Sequence, residues 1–199
     1  MRQLECVGLK CPITGLLSTR FQEREYMLVG QGYFLNLISN NKIIDKVQLF
    51  TASKIHQIRS LHDSEYLIAG GKSVSLIKLT SEDGKTRIQL KLRETLLPDW
   101  VWDLCTDSHN FYFLTAHNKV LKTDLSLNLL DSFDCEEKCI LYSGLLLPSS
   151  CDRRDITVLS GSVFSKVIIW RIPEDGVKTD LPVLHSLEGH DGVIFRYDT

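Results

Sequence analysis

Six histidines, six cysteines and two glycine-rich turns are the residues of this chain whose types and spacing invite a chemical reading. The histidines stand at 56, 62, 109, 117, 185 and 190, and none forms a His-Glu-x-x-His or His-x-x-Glu-His zinc motif. The cysteines stand at 6, 11, 105, 135, 139 and 151. Neither close pair is a Cys-x-x-Cys and no His neighbours either pair, so packed, reduced thiols are expected instead of a metal centre. Gly30-Gln31-Gly32 starts like a dinucleotide fingerprint, but Leu35 stands where the third glycine belongs and a strand follows where a helix is needed. Gly71-Lys72-Ser73 imitates the end of a phosphate-binding loop, yet Tyr66 occupies the first glycine position and the strand VSLIKL follows. Without a helix N-terminus there is no anion cradle. No Gly-x-Ser-x-Gly elbow occurs. These residues predict no catalytic set, no metal and no cofactor, and therefore a protein that is not an enzyme.

Two groups suggest binding instead. Trp100 and Trp102 flank Val101 and share one face of a strand. They read as packing between sheets or as an exposed anchor for a protein partner, because tryptophan is favoured at binding hot spots. Asp99 and Asp103 beside them would supply a polar rim. The run from 85 to 93 places Lys85, Arg87, Gln89, Lys91 and Arg93 at alternate positions, on one face of a strand. That face reads as a solvated edge that discourages aggregation, or as a stripe that contacts RNA phosphates.

The elements that carry these residues come from repetition. The chain has 199 residues, a formal charge of −2, 43% hydrophobic and 24% charged residues. That composition is globular, and its near-neutral balance excludes a generally basic nucleic-acid coat. No apolar run approaches the ~18 residues of a membrane helix. The N-terminus shows no signal-peptide pattern, so a cytoplasmic or nuclear address is expected. Four segments repeat one pattern: an apolar strand ending in small residues, a tight turn, and an alternating strand. Gly30, Gly70, His117 and Gly161 mark equivalent points, 40, 47 and 44 residues apart. That spacing matches the period of about 40–45 residues for a four-stranded propeller blade. The turns carry Gly70-Gly71 or Asn118, which tolerate positive φ. Blades are expected at about 13–50, 55–96, 99–135 and 139–187, with polar insertions at 80–86 and 173–181 as surface loops and the first strand of a fifth blade at 188–199.

LEGHDGVIF (187–195) contains Gly189-His190, the dipeptide that opens a WD40 blade, and IIWRI supplies Trp170 where that signature closes a sheet with Trp-Asp. Arg171 replaces the Asp. Gly189, His190 and Trp170 are thus expected to be structural. In that pattern a histidine, an aspartate, a hydroxyl residue and the tryptophan form a buried polar network. The other blades lack the dipeptide and are expected to rely on apolar packing.

PITGLL (12–17), DWVWDL (99–104) and VIIWRI (167–172) followed by EGHDGVIF (188–195) resemble, in order, the N-terminal region of the WD repeat-containing protein 6 family. The resemblance spans about 12–195, is most specific over 99–195, and is weakest in the last four residues. It implies an all-β, WD40-type propeller of seven blades, of which four and the start of a fifth lie in this sequence. A chain so divided would be marginal and aggregation-prone alone. The resemblance also implies a non-catalytic, cytoplasmic regulatory partner of a tRNA 2′-O-methyltransferase that modifies the wobble nucleotide. The implied partners are that methyltransferase and tRNA, with neither membrane nor DNA. A protein-only adaptor in signalling or growth control is the alternative.

Overall fold

The structure is a computed structural model that describes residues 12–149, 155–173, 179–189 and 191–194. It is all-β and divides into two compact units, Met1–Pro98 and Asp99–Thr199. Each unit holds two four-stranded antiparallel sheets in which neighbours in sequence are neighbours in the sheet. In the first unit one sheet is β1 (Ile13–Phe21), β2 (Arg24–Gln31), β3 (Phe34–Ser39) and β4 (Lys42–Gln48). The other is β5 (Gln57–Ser60), β6 (Glu65–Gly70), β7 (Ser73–Glu82) and β8 (Lys85–Leu96). In the second unit the sheets are β9 (Val101–Thr106), β10 (Asn110–Thr115), β11 (Lys119–Asp124) and β12 (Leu129–Asp134), then β13 (Leu141–Pro148), β14 (Ile156–Ser162), β15 (Val167–Ile172) and β16 (Val183–Leu187). These meanders are the propeller blades that the repeat pattern predicts.

Local chemistry sets the hairpins. Gln22-Glu23, Asn40-Asn41, Asp63-Ser64 and Asp83-Gly84 each place two consecutive residues at positive φ. That conformation is the type I′ turn, whose twist matches the flanking strands. Asp83-Gly84 corrects one expectation. Residues 80–86 are not a polar insertion loop, because β7 and β8 run through them to a two-residue turn. An Asp-Gly pair between alternating runs is itself a strong hairpin signal. The insertion at 173–181 lies mostly outside the described residues, and Leu181 at its end is buried. Residues 188, 189 and 191–194, where a fifth blade is expected to start, carry no strand; His190 and 195–199 lie outside the described residues.

The inner strands are apolar and buried along most of their length. In β7, Val74, Ser75, Ile77 and Leu79 are all buried. One core lies between the two sheets of the first unit and includes Leu28, Leu37, Phe50, Ile55, Tyr66 and Ile77. Hydroxyl pairs Thr19–Tyr66 and Tyr26–Thr86, each at 2.7 Å, cross between those sheets. The second unit's core includes Leu114, Val120, Leu141, Val158, Ile168 and Trp170. Burying each such side chain contributes about 1.5–3 kcal/mol. Gly70 shows how close the first unit's chains approach. A Cβ there would lie 2.5 Å from the Lys54 carbonyl oxygen and 2.8 Å from the Phe50 ring.

Candidate functional site

Trp100 immediately precedes β9 and Trp102 lies at its start, with the fully buried Val101 between them. Period-2 alternation therefore sends both indoles to the opposite face, but they meet different surroundings. Trp102 packs at the edge of the second unit's core and donates its Nε1–H to the Leu141 carbonyl at 3.1 Å. Its ring stacks on Tyr142 with centroids 6.1 Å apart. Trp100 lies 6.3 Å from Trp102 and is 46% exposed. Ile140, just before β13, and Phe164, in the β14–β15 turn, are exposed, and Val163 N–H donates to the Ile140 carbonyl at 3.0 Å. Trp102 is thus mainly a packing residue and Trp100 the accessible end of an aromatic row. Amphipathic rings of this kind suit protein recognition.

The acidic rim expected beside the tryptophans is corrected. Asp103 is only 2% exposed and accepts the Leu146 N–H at 2.8 Å, which ties β9 to the facing strand β13. A buried carboxylate needs such donors. Asp99 accepts from the His117 backbone N–H at 3.1 Å, pairs with His117 Nδ1 at 2.9 Å and accepts from Trp100 N–H at 2.8 Å. Burial raises the Asp99 pKa, but the hydrogen bonds from His117, Trp100 and Thr115 outweigh it and hold the carboxyl below its ordinary value.

Trp170 is fully buried and belongs to a polar network. Its Nε1–H lies 3.1 Å from both Asn118 Oδ1 and Ser160 Oγ. Ser160 Oγ–H donates to the same Asn118 oxygen at 2.7 Å, and Asn118 Nδ2 donates to the Glu137 carbonyl at 2.9 Å. Asn118 sits at φ 56° in the β10–β11 turn and reaches across to strands β14 and β15 of the next sheet. Apolar packing alone was the expectation for blades without a Gly-His opening. An asparagine instead caps the Trp–Ser pair of this blade, because a buried indole N–H must find an acceptor. Gly189 adopts φ 127° with open space around its Cα, and His190 lies outside the described residues.

The cysteines Cys105, Cys135 and Cys139 are free thiols, and Cys6, Cys11 and Cys151 lie outside the described residues. Burial raises the Cys135 pKa. Burial, followed by the charge of Glu137, pushes Cys139 up to about 11. Such thiols are poor nucleophiles.

The cationic run occupies β8, the edge strand of its sheet. Lys85, Arg87, Gln89, Lys91 and Arg93 are all exposed, but their regular alternation is broken. The β7–β8 register slips between Leu76 and Ile77 and again between Val74 and Leu76, so Lys91 and then Arg93 fall in bulges outside one-to-one pairing. Bulges re-aim side chains. Arg87 lies 3.5 Å from Asp45 and Lys91 lies 3.6 Å from Glu65. The run is therefore not a uniform stripe of free charge: two of its cations are paired and two leave the regular register.

No family model matches the chain. Among curated proteins it is similar to the tRNA (34-2'-O)-methyltransferase regulator WDR6 of Bos taurus, 27% identical over 201 residues, and of Pongo abelii, 25% identical over 201 residues. Each alignment covers 92% of this chain and 17% of the relative. The chain resembles these regulators over most of its own length and spans a small part of theirs. Among solved structures, the WD40 beta propeller domain of Doa1 matches with a TM-score of 0.56 and 17% identity, over 88% of this chain and 54% of that one. Chaetomium thermophilum Raptor matches with a TM-score of 0.61 and 14% identity, over 91% of this chain and 17% of that one. These likenesses show the WD40-type propeller fold and carry no function.

Sequence reasoning missed Asn118 as a network member, naming it only as a turn residue. It also missed Tyr142, Ile140 and Phe164. Alternation in YSGLLL does place Tyr142 opposite the buried Leu141, which was the available signal.

Proposed function

We propose that this chain is part of a non-catalytic, cytoplasmic WD-repeat scaffold that helps a tRNA 2′-O-methyltransferase engage the anticodon loop of its tRNA. The observation that carries the reading is the similarity to WDR6 regulators along 92% of the chain. In this reading the methyltransferase supplies the reaction and the propeller supplies positioning, which is itself a large share of rate enhancement. The surface with the best chemistry for a protein partner is the row Trp100–Trp102–Tyr142. The tRNA contact falls to the cations of β8, Lys85, Arg87, Lys91 and Arg93, which would fix the backbone without reading sequence. The half-exposed Trp100 also supports a second reading, a protein-only adaptor in signalling or growth control.

Affinity capture of the tagged chain from cytoplasmic extract, with mass spectrometry of protein and sequencing of RNA, separates the two. Recovery of the methyltransferase together with tRNA is expected. Recovery of other proteins without either favours the adaptor. Trp100→Ala should weaken methyltransferase capture about tenfold or more and leave the thermal midpoint unchanged. Trp102→Ala should lower the midpoint as well.

A further inference from the structure

The first unit contains a cleft of about 690 Å³ between its two sheets, and its walls are sorted by charge. Arg24 from the start of β2, Lys42 from the start of β4, and Lys85 and Arg87 from β8 all line it. No carboxylate is among the lining residues. Arg87 is held 3.5 Å from Asp45, which also accepts the Ile88 N–H at 2.8 Å. Among the described residues, Arg24, Lys42 and Lys85 have no ion-pair partner. An adjoining cleft of about 470 Å³ shares Tyr26, Ser39 and Asn40 but carries Glu25 and no cation. The positive charge is therefore concentrated on one side of that shared wall, in a chain whose net charge is −2.

The backbone explains the convergence. The two type I′ turns, Asn40-Asn41 and Asp83-Gly84, end neighbouring sheets beside the cleft, so the first residues of β4 and β8 face a common space. Beside Ile44, the wall holds fixed polar groups. Tyr26 and Thr86, both more than nine-tenths buried, bond their hydroxyls at 2.7 Å, and whichever oxygen accepts keeps its own proton to donate. Ser39 and Asn40 add a hydroxyl and an amide.

We propose that this cleft binds an oligophosphate, a ligand with two or more adjacent phosphate groups. Three cations without an ion-pair partner, beside the Asp45-paired Arg87, exceed what one carboxylate or one phosphate would balance, and the volume is several times that of a single phosphate. Guanidinium groups match phosphate oxygens in a bidentate geometry, and a cleft of one charge sign concentrates the opposite ion. The inference goes beyond the methyltransferase reading and does not depend on it. It also differs from the edge-strand stripe, since Arg24 and Lys42 belong to the other sheet.

The test is calorimetric titration of the full chain with inorganic tripolyphosphate at two salt concentrations. One-to-one binding that weakens steeply with salt is expected. Lys42→Gln combined with Lys85→Gln, both at exposed positions, should lower affinity about tenfold or more with an unchanged far-ultraviolet spectrum. Lys54→Gln, an exposed cation of the same unit outside the lining, should leave binding unchanged. Absence of binding, or an equal loss with Lys54→Gln, overturns the proposal. A short single-stranded RNA that displaces tripolyphosphate assigns the site to a nucleic-acid backbone. Failure to displace it assigns the site to free oligophosphates.

Discussion

Truncating Asn118 tests whether one amide holds the second unit's two sheets together. Its Oδ1 serves two donors, Ser160 and Trp170, and its Nδ2 serves the Glu137 carbonyl. In Asn118→Gly the indole N–H keeps Ser160 Oγ at 3.1 Å, but the Ser160 hydroxyl loses its acceptor and the Glu137 carbonyl its donor. Buried groups left unpaired cost about 1–3 kcal/mol each. With the indole partly rescued, a loss of about 3 kcal/mol is expected. Asn118→Ala removes the same bonds but keeps a Cβ in the left-handed region, which costs about 1 kcal/mol more than glycine there. The comparison therefore separates the hydrogen bonds from the backbone. Urea unfolding followed by circular dichroism measures both, provided the slope with denaturant is unchanged. A double-mutant cycle with Trp170→Phe should give a coupling of about 1 kcal/mol or more. A glycine variant within about 0.5 kcal/mol of the parent, the usual range for a surface substitution, would refute the network as a source of stability.

Three further outcomes follow from the geometry. Asp107 accepts the His109 and Asn110 N–H groups at 2.7 Å and the Tyr112 hydroxyl at 2.9 Å. Burial raises its pKa, but these bonds win and lower it. Its contribution is therefore complete above the unfolded carboxylate value of about 3.9 and is lost as pH falls through the lower folded value. Acid titration of the midpoint should be flatter below about pH 4 in Asp107→Asn. Cys139, with its pKa near 11, should react with a thiol reagent at pH 8 roughly a hundredfold more slowly than an ordinary cysteine, and unfolding should abolish the difference. Gly70→Ala should destabilise the chain by about 1–3 kcal/mol, measured by thermal unfolding, because the added methyl meets backbone that cannot rotate away.

Strand identity was legible because it is local. Alternation, the Gly-Gly and Asn turns and the spacing of 40, 47 and 44 residues locate all four sheets. What was not legible depends on distant partners. Asn118 lies 42 residues from Ser160 and 52 from Trp170, so only folding shows that it caps them. The one-face reading of Lys85 to Arg93 assumed unbroken pairing, and two bulges defeat that assumption. Asp103 resembles a surface charge until β13 supplies its donor. The basic cleft is the extreme case, since Arg24, Lys42 and Lys85 share no motif and line one cleft only because three hairpin turns end beside it. The loop misread at 80–86 differs from these, because Asp83-Gly84 carried its own signal and a polar flank obscured it.

All three tryptophans, Trp100, Trp102 and Trp170, fall in the second unit, and the first has none. The chain thus carries a natural spectroscopic label on one half only. Indole emission during denaturation follows residues 99–199, while circular dichroism weighs both halves. Coincident curves would mean that the halves melt as one cooperative body, and separated curves would give each half its own melting free energy. The buried, hydrogen-bonded Trp170 and the half-exposed Trp100 should also differ in quenching by iodide. One cuvette could then distinguish loss of an accessible surface residue from opening of the interior.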